Sequence, residues 1–219
     1  MVDEPSTTLA IDLSIRHGGL ALLASSTGEV LHVRSELSGV GDLVGALREL
    51  VLLSGQAVSH VVATRGPGSY IGVRSGLAAA IGFAQARALP LKLLGSLSVV
   101  AATASPTGGE LLVVVSAGRG GRYAQSFGWN GSEGPEAVVP LGEAVALAGT
   151  KPPPTVWPDA RRVIDPDGVG GDLGLPLVEP IRLRADGLAL LAVLGSGFQS
   201  GYDLVSADYG APIGDISWS

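Results

Sequence analysis

Short apolar runs bounded by turn residues alternate along the first hundred positions with longer stretches of helical periodicity. The short runs predict strands, because each has the length and the bounding Gly, Ser and Asn/Asp chemistry typical of buried strands. The predicted strands cover residues 8–13, 19–25, 30–34, 58–64 and 91–94. The first three follow one another across short turns, which predicts an antiparallel meander.

Three helices are predicted between and after these strands. Leu43, Leu47 and Leu50 recur at helical spacing, and Asp42 suits the first turn of such a helix. Ser96 is placed to cap the third helix. The predicted helices cover residues 42–53, 70–88 and 96–104. The order is therefore β-β-β-α-β-α, followed by one more strand and one more helix.

The pattern breaks at the Pro/Gly-rich residues 105–109 and then restarts with two predicted strands, 110–116 and 122–128. We therefore predict two domains, residues 1–105 and residues 106–219, the second a smaller, reduced copy of the first. Further predictions are a helix at 141–148, a stiff proline connector at 151–154, a loop at 158–174 and a last helix at 186–199.

The second predicted helix carries two adjacent stripes of small or apolar residues. Gly72, Gly76 and Ala80 lie four residues apart, and such a small stripe lets another backbone approach closely. The neighbouring stripe is apolar and larger. We expect one stripe to pack on the sheet and the other on a helix, either of the same chain or of a partner. The larger stripe consists of Val73, Leu77, Ile81 and Ala84.

The segment Gly66-Pro67-Gly68-Ser69-Tyr70 precedes this helix and has two interpretations. Its amides could face a phosphate at the helix N-terminus. No lysine follows as in a Walker motif, however, so the residues favour Ser69 as an N-cap after a fixed turn. Asp12 and Ser14, at the end of the first strand, could likewise orient a metal and phosphate or simply cap their turn.

Composition limits the function. The chain has 219 residues, a net charge of −6 and no cysteine, which argues against binding nucleic acid alone and excludes thiolate chemistry and disulfides. Only 16% of residues are charged, which suggests either a surface covered by a partner or an Ala/Gly-rich composition. The histidines are scattered and no nucleophile–base pair is evident, so we predict no catalytic residue and no metal site. We expect a cytoplasmic protein, because the longest apolar run is too short to span a bilayer.

Three segments resemble the bacterial TsaB (YeaZ) family: "LAIDLS" at 9–14, "GPGSYIGVRSGLAAAIGFAQA" at 66–86 with "LPLKLLGSLSVVA" at 89–101, and "VSAGRGGRYAQSFGW" at 115–129. The resemblance implies an α/β fold of the actin-like (ASKHA) type with two related subdomains, each a mixed sheet flanked by helices. It also implies a role in forming threonylcarbamoyladenosine on tRNA, as a non-catalytic partner that touches tRNA only indirectly.

In that family the partner is a TsaD-type catalytic subunit, joined by a TsaE-type ATPase, with ATP or ADP expected at the partner interface. Self-association through the same two N-terminal helices is a further implication. Carried over, the predicted interface consists of Leu43, Leu47, Leu50, Tyr70, Gly72, Val73, Arg74, Gly76, Ala79, Ala80 and Phe83. The candidate nucleotide or phosphate residues are Asp12, Ser14, Gly66, Gly68 and Ser69.

The sequence departs from the family pattern at Leu13, Ile71 and Ser116, where the family has Thr, Thr and often Asp. Each departure removes a polar group, which weakens the case for nucleotide binding but not for pairing. The alternative function is an ATP-dependent small-molecule kinase or carbamoyl-type transferase of the actin-like superfold. It would use Asp12 to orient a metal and a phosphate hairpin at 117–121. A peptidase has no support in the residues.

Overall fold

The computed structural model describes residues 6–15, 18–27, 29–35, 37, 40–55, 57–103, 110–118, 121–129, 138–141, 144–147, 160–164 and 211–212. In these residues the strands form two sheets, and there are three helices. The last predicted helix, 186–199, and the connector at 151–154 lie outside these residues.

Five strands form the first sheet, and they confirm the predicted meander. The sheet order is β3-β2-β1-β4-β5. The first three strands pair antiparallel, and β4 and β5 add in parallel to β1. The strands are β1 Ser6–Asp12, β2 Gly19–Ala24, β3 Val30–Ser35, β4 Ala57–Thr64 and β5 Leu91–Leu94.

Two helices, α1 (Val40–Leu53) and α2 (Tyr70–Ala86), lie on the same face of this sheet. Leu43 and Leu50 of α1 and Ala84 of α2 are buried in one cluster with the strands beneath them. Alternation along each strand sends every second residue to this face. The strand residues of the cluster are Leu9, Ile11, Leu20, Leu22, Val58, Val61, Ala63 and Leu91.

The third helix, α3 (Ser96–Thr103), packs between the two sheets. Its Val99 contacts the opposite face of the first sheet, in a cluster with Ala10 and Val62. Leu97 and Val100 of the same helix instead join the core of the second sheet. A short helix that is apolar all round is stable here because both of its sides are covered.

The second sheet largely repeats the topology of the first. Its order is β10-β6-β7-β9-β11, with β8 also pairing with β7. β6 and β7 are antiparallel and β10 adds in parallel to β6, as β4 does to β1. The strands are β6 Glu110–Gly118, β7 Gly121–Trp129, β8 Val138–Pro140, β9 Val145–Leu147, β10 Ala160–Ile164 and β11 Ala211–Pro212.

Two predictions in the second half are wrong. The predicted helix at 141–148 contains instead the strand β9, which pairs with Arg122–Ala124 of β7. The predicted loop at 158–174 contains the strand β10. Both are short strands held by pairing with distant segments. In residues 141–148 this pairing overrides the local helix preference of Ala, Leu and Glu.

Mixed sheets flanked by helices confirm the predicted α/β class. The predicted domain boundary at residue 105 falls among residues outside the described ranges, so the division into 1–105 and 106–219 stays a prediction.

Candidate functional site: a buried carboxylate and two helix faces

Asp12, at the end of β1, organises the turn that follows it. Its Oδ1 accepts hydrogen bonds from the Ser14 amide at 2.9 Å, the Ser14 hydroxyl at 2.6 Å and the Thr64 hydroxyl at 2.8 Å. All three residues are buried, with Asp12 only 3% exposed and Ser14 0%. The carboxylate therefore joins the ends of the parallel strands β1 and β4. This geometry matches the capping interpretation, and Oδ1 is already surrounded by protein donors.

The loop at 66–69 closes onto the same turn. The Ser69 amide donates to the Ser14 carbonyl at 2.7 Å, and a side chain at Gly68 would lie 2.2 Å from that carbonyl oxygen. The Gly66 carbonyl accepts a hydrogen bond from the Ser96 amide at 2.8 Å, and the Gly66–Pro67 peptide bond is cis. The loop is thus held by hydrogen bonds to the turn after β1 and to the start of α3.

The Ser69 hydroxyl accepts from the Gly72 amide at 3.3 Å, so Ser69 caps α2 as the capping interpretation requires. The amides of Ser69 and Gly72 are therefore engaged within the chain and not directed at a ligand. The geometry of Asp12, Ser14, Gly66, Gly68 and Ser69 fits the structural interpretation, and nucleotide binding by these residues stays a prediction.

The small-residue stripe of α2 faces inward, which corrects the predicted interface. A Cβ at Gly72 would lie 1.8 Å from the Leu13 carbonyl oxygen, and a Cβ at Gly76 would lie 3.6 Å from the Leu13 Cβ. Both stripes of the helix are buried on the chain's own sheet, so the expectation that one of them faces another helix is wrong. The buried members are Val73, Gly76, Leu77, Ala80 and Ala84.

The other predicted interface residues divide between the core and the surface. Leu43 and Leu50 are buried, while Leu47, Ala79 and Phe83 pack against the same core at intermediate exposure. A partner cannot reach the buried ones without unfolding α1. Of the predicted set, Tyr70 and Arg74 are exposed.

The outward faces of α1 and α2 carry large apolar side chains instead. Val44 is 63% exposed, Leu52 is 72% exposed and Ile71 is 72% exposed. On α1, Val44 and Leu52 share an outward stripe with Gly41, Gly45 and Arg48, opposite the buried Leu43 and Leu50. On α2, Ile71 shares an outward stripe with Ala78 and Gly82. Together these residues, here named the helix-pair face, were missed by sequence reasoning. The helical phase of the buried leucines is the signal that could have placed the α1 stripe.

Three glycines of the helix-pair face have open space around them in the described part of the chain. A Cβ built at Gly41, Gly45 or Gly82 has no neighbouring atom within 4 Å there. Glycine in a helix interior is about 1 kcal/mol less favourable than alanine. Packing among the described residues therefore does not require glycine at these positions, in contrast to Gly72.

Charged residues near the helix-pair face include one ion pair and two arginines that stack on aromatic rings. Arg34 of β3 and Glu49 of α1 form a two-pronged ion pair, with Arg34 Nε 3.0 Å from Glu49 Oε2. This hydrogen-bonded pairing raises the pKa of Arg34 and lowers the pKa of Glu49. Arg74 lies 4.1 Å over the Tyr70 ring, and Arg87 lies 5.0 Å over that of Phe83.

A second polar network lies at the other end of the first sheet. The hydroxyls of Thr8 and Ser25 are 2.9 Å apart, those of Ser25 and Ser59 are 3.3 Å apart, and Ser59 Oγ is 2.8 Å from His60 Nδ1. The register of the β1–β4 pairing shifts between Thr7, which pairs with Val58, and Thr8, which pairs with His60. Ser59 therefore lies at a bulge between these two pairs.

Burial lowers the pKa of the His60 imidazole below its ordinary value of 6.5. The unfolded chain therefore binds a proton at His60 more readily than the folded chain does. The stability that the neutral, buried imidazole allows is present above pH 6.5 and is lost as the pH falls below that value. We expect an NMR titration to place the His60 pKa below 6.5. Relative to His60→Gln, the wild-type chain should lose stability as pH is lowered from 7.5 to 5.5. A pKa at or above 6.5 would contradict this.

Within the described ranges, no three His, Cys, Asp or Glu side chains come together as metal ligands would. None of the helices in that part of the chain has the length and apolarity that crossing a bilayer requires.

Comparison with known proteins places this geometry in a family. The family model described as TsaD, tRNA N6-adenosine threonylcarbamoyltransferase, matches residues 40–153, just over half of the 219 residues. The chain belongs to this family. The match begins at the first residue of α1, includes α2 and extends through β9, so it contains both helices of the helix-pair face. No curated protein matches the chain by sequence.

Solved structures show the same fold. YeaZ from Pseudomonas aeruginosa superposes with a TM-score of 0.67 at 24% identity, covering 85% of this chain and 90% of that one. An uncharacterized protein from Pseudomonas aeruginosa, described as similar to peptidase YeaZ, gives a TM-score of 0.65 at 22% identity, covering 86% and 89%. The resemblance to the TsaB (YeaZ) family is thus confirmed, and within the TsaD family the chain has the fold of YeaZ.

Proposed function

We propose that this chain acts in forming N6-threonylcarbamoyladenosine on tRNA as an accessory subunit. In this role it binds a TsaD-type catalytic subunit through the helix-pair face. The TsaE-type ATPase, and a nucleotide at the interface between subunits, remain further predictions of the same proposal. Contact with tRNA is expected only through the assembled complex.

One observation supports the proposal most directly. The outward stripes of α1 and α2 combine exposed large apolar side chains with glycines that the packing of the described residues does not require. Val44, Leu52 and Ile71 expose more than half of their surface. Gly45 and Gly82 have open space where a side chain would be. Exposed apolar groups grouped on one surface mark interaction sites, and glycine allows a second helix to approach closely. Membership of the TsaD family supports a TsaD-type subunit as the partner.

The hydrogen bonds of Asp12 within the described residues support a structural role for this carboxylate. Its Oδ1 is bound by Ser14 and Thr64, and the loop that follows β4 is closed by its own hydrogen bonds. Hydrogen bonds between different elements therefore fix the ends of β1 and β4 and the loop before α2 in one arrangement.

The test is binding of the organism's own TsaD-type subunit by variants of the helix-pair face. Gly82→Leu and Gly45→Leu should each lower the affinity about tenfold or more, because the new side chain separates surfaces that approach closely. Neither should destabilise the isolated chain, since nothing lies within 4 Å of the added Cβ. Calorimetry measures the affinity, and thermal unfolding checks the fold.

A matched control is Ser26→Leu, which adds an equal apolar group on the exposed turn after β2. It should bind as the wild-type chain does. Normal binding by both glycine variants would place the partner elsewhere on the chain and overturn the proposed surface. Reconstituted modification of tRNA should fall in parallel with affinity in the two glycine variants and stay unchanged in the control.

A further inference from the structure

Two described segments join the core of the first sheet to the core of the second. In the turn after β1, Leu13 packs against the core under α1 and α2, while Ile15, two residues later, is buried in the core of the second sheet. In α3, Val99 packs on the first sheet and Leu97 on the second. Contact between the two sheets thus runs through this turn and through α3.

The loop before α2 is hydrogen-bonded to both of these segments. The Ser69 amide donates to the Ser14 carbonyl in the turn, and the Gly66 carbonyl accepts from the Ser96 amide at the start of α3. The loop also lies close against the turn, since a Cβ at Gly68 would be 2.2 Å from the Ser14 carbonyl oxygen. One loop therefore holds both links to the second sheet.

The same loop leads directly into the helix-pair face. Ser69 caps α2 by accepting from the Gly72 amide, and Ile71 in that first turn is among the most exposed apolar side chains of the helix-pair face. On its inner side, the first turn lies on the Leu13 carbonyl oxygen, where a Cβ at Gly72 would clash. The first turn of α2 therefore lies between the surface proposed for the partner and the turn after β1.

We infer that the loop before α2 couples the helix-pair face to the second sheet. What fixes the first turn of α2 also fixes Ser14 and Ser96, and through them Ile15 and α3. Coupling between distant places is carried by packed and hydrogen-bonded groups in unbroken contact, as these are. A partner on the helix-pair face thus stabilises the second sheet without having to contact it. The inference rests on the proposed function for the place of binding and adds a conformational consequence.

The chain alone provides the first test, by amide hydrogen exchange of Ser69→Ala. Ser69 carries both the cap of α2 and the amide that binds the Ser14 carbonyl, so loosening the cap also loosens the link to the turn. Loss of a cap should make exchange about fivefold faster in the first turn of α2. We expect a rise also in β6 and β7, and little change in β2, because local opening follows the broken contacts.

Thr27→Ala is the matched control. The exposed Thr27 hydroxyl accepts from the Glu29 amide at 3.2 Å, as the exposed Ser69 hydroxyl accepts from Gly72 at 3.3 Å. Both changes thus remove one hydroxyl acceptor of a backbone amide. Thr27 lies in the turn between β2 and β3, away from the loop before α2. Exchange should rise in that turn and stay unchanged in β6 and β7.

The coupling should also run from the second sheet to α2, because coupling between two places is reciprocal. Ile15→Val removes one methyl group from the second core. Exchange at the Val73 amide, which donates to the Ser69 carbonyl, should become about threefold faster. Val163→Ala is the control, a larger deletion at a buried position of β10 outside the cluster of Ile15, and should leave that amide as in wild type.

The partner provides the second test. With the TsaD-type subunit bound at saturating concentration, exchange in β6 and β7 should slow in the wild-type chain. The slowing should be smaller in Ile15→Val, because the second core then holds the turn less firmly. Mass spectrometry of the exchanged peptides measures both.

The outcomes separate the inference from the proposed function. Failure to bind the TsaD-type subunit would remove the proposed function, and exchange of the chain alone would still decide the coupling. If Ser69→Ala affects β6 and β7 no more than Thr27→Ala does, the inference is overturned and the proposed function stands. Binding that leaves exchange in β6 and β7 unaltered would also overturn it. Should Ser69→Ala not fold, Ile15→Val against Val163→Ala decides the same question.

Discussion

Gly72→Ala is expected to destabilise the chain by about 3 kcal/mol or more, the largest effect of any single methyl group on α2. The added Cβ would lie 1.8 Å from the Leu13 carbonyl oxygen, and backbone cannot move aside as the end of a flexible side chain does. The Gly72 amide is also fixed by the Ser69 hydroxyl. Relief would require α2 to tilt away from β1, exposing the core beneath it.

The matched control for this prediction lies one turn further along the same helix face. A Cβ at Gly76 would meet Leu13 Cβ at 3.6 Å and Ile11 Cγ2 at 3.7 Å, which is ordinary contact. Gly76→Ala should therefore be neutral or stabilising by up to about 1 kcal/mol, since alanine is the better helix former. Urea unfolding of the two variants measures both. Equal midpoints would show that α2 does not sit as closely on the Leu13 turn as the structure has it.

Asp12→Ala is expected to cost about 3 kcal/mol of unfolding free energy. The change removes the acceptor of three hydrogen bonds and leaves the Ser14 amide, the Ser14 hydroxyl and the Thr64 hydroxyl buried without it. Asp12→Asn keeps an oxygen in the same place and should cost less. Thr64→Val, which removes a single donor, should cost about 1 kcal/mol.

Chemical denaturation of these three variants gives the comparison. An alanine variant no less stable than Thr64→Val would mean that Asp12 does not organise the turn. The expected loss has a practical consequence for tests of the alternative kinase or transferase function. Any activity missing in Asp12→Ala would report unfolding as readily as chemistry, so Asp12→Asn, which removes the negative charge but keeps an oxygen in place, is the more informative variant.

The sequence was a good guide where a segment carries its own signal. Apolar runs and helical spacing located the five strands of the first sheet and the three helices, because each of these elements buries a face of its own. The segment 141–148 was misread because its Ala, Leu and Glu residues favour a helix locally. Its strand β9 forms only through pairing with β7, a tertiary contact that local pattern does not contain.

The candidate site was predicted less well than the fold. The family motifs pointed to α1 and α2, which stays a prediction, and Ser69 was correctly predicted as the cap of α2. The glycines, however, were assigned to the wrong side of α2. Composition alone cannot distinguish a glycine that accommodates the chain's own backbone from one that leaves room for a partner.

By itself, the sequence determined the α/β order, the small-residue stripe of α2 and the lack of acids between residues 50 and 109. Only the tertiary structure decided which glycines of α2 lie against the chain itself and which face outward. Gly72 lies on the Leu13 turn and is required there, whereas Gly82 has nothing near it. The physical reason is that helical periodicity fixes the angles between residues but not the rotation of the helix about its axis. That rotation was set by burying Val73, Leu77 and Ala84 on the sheet.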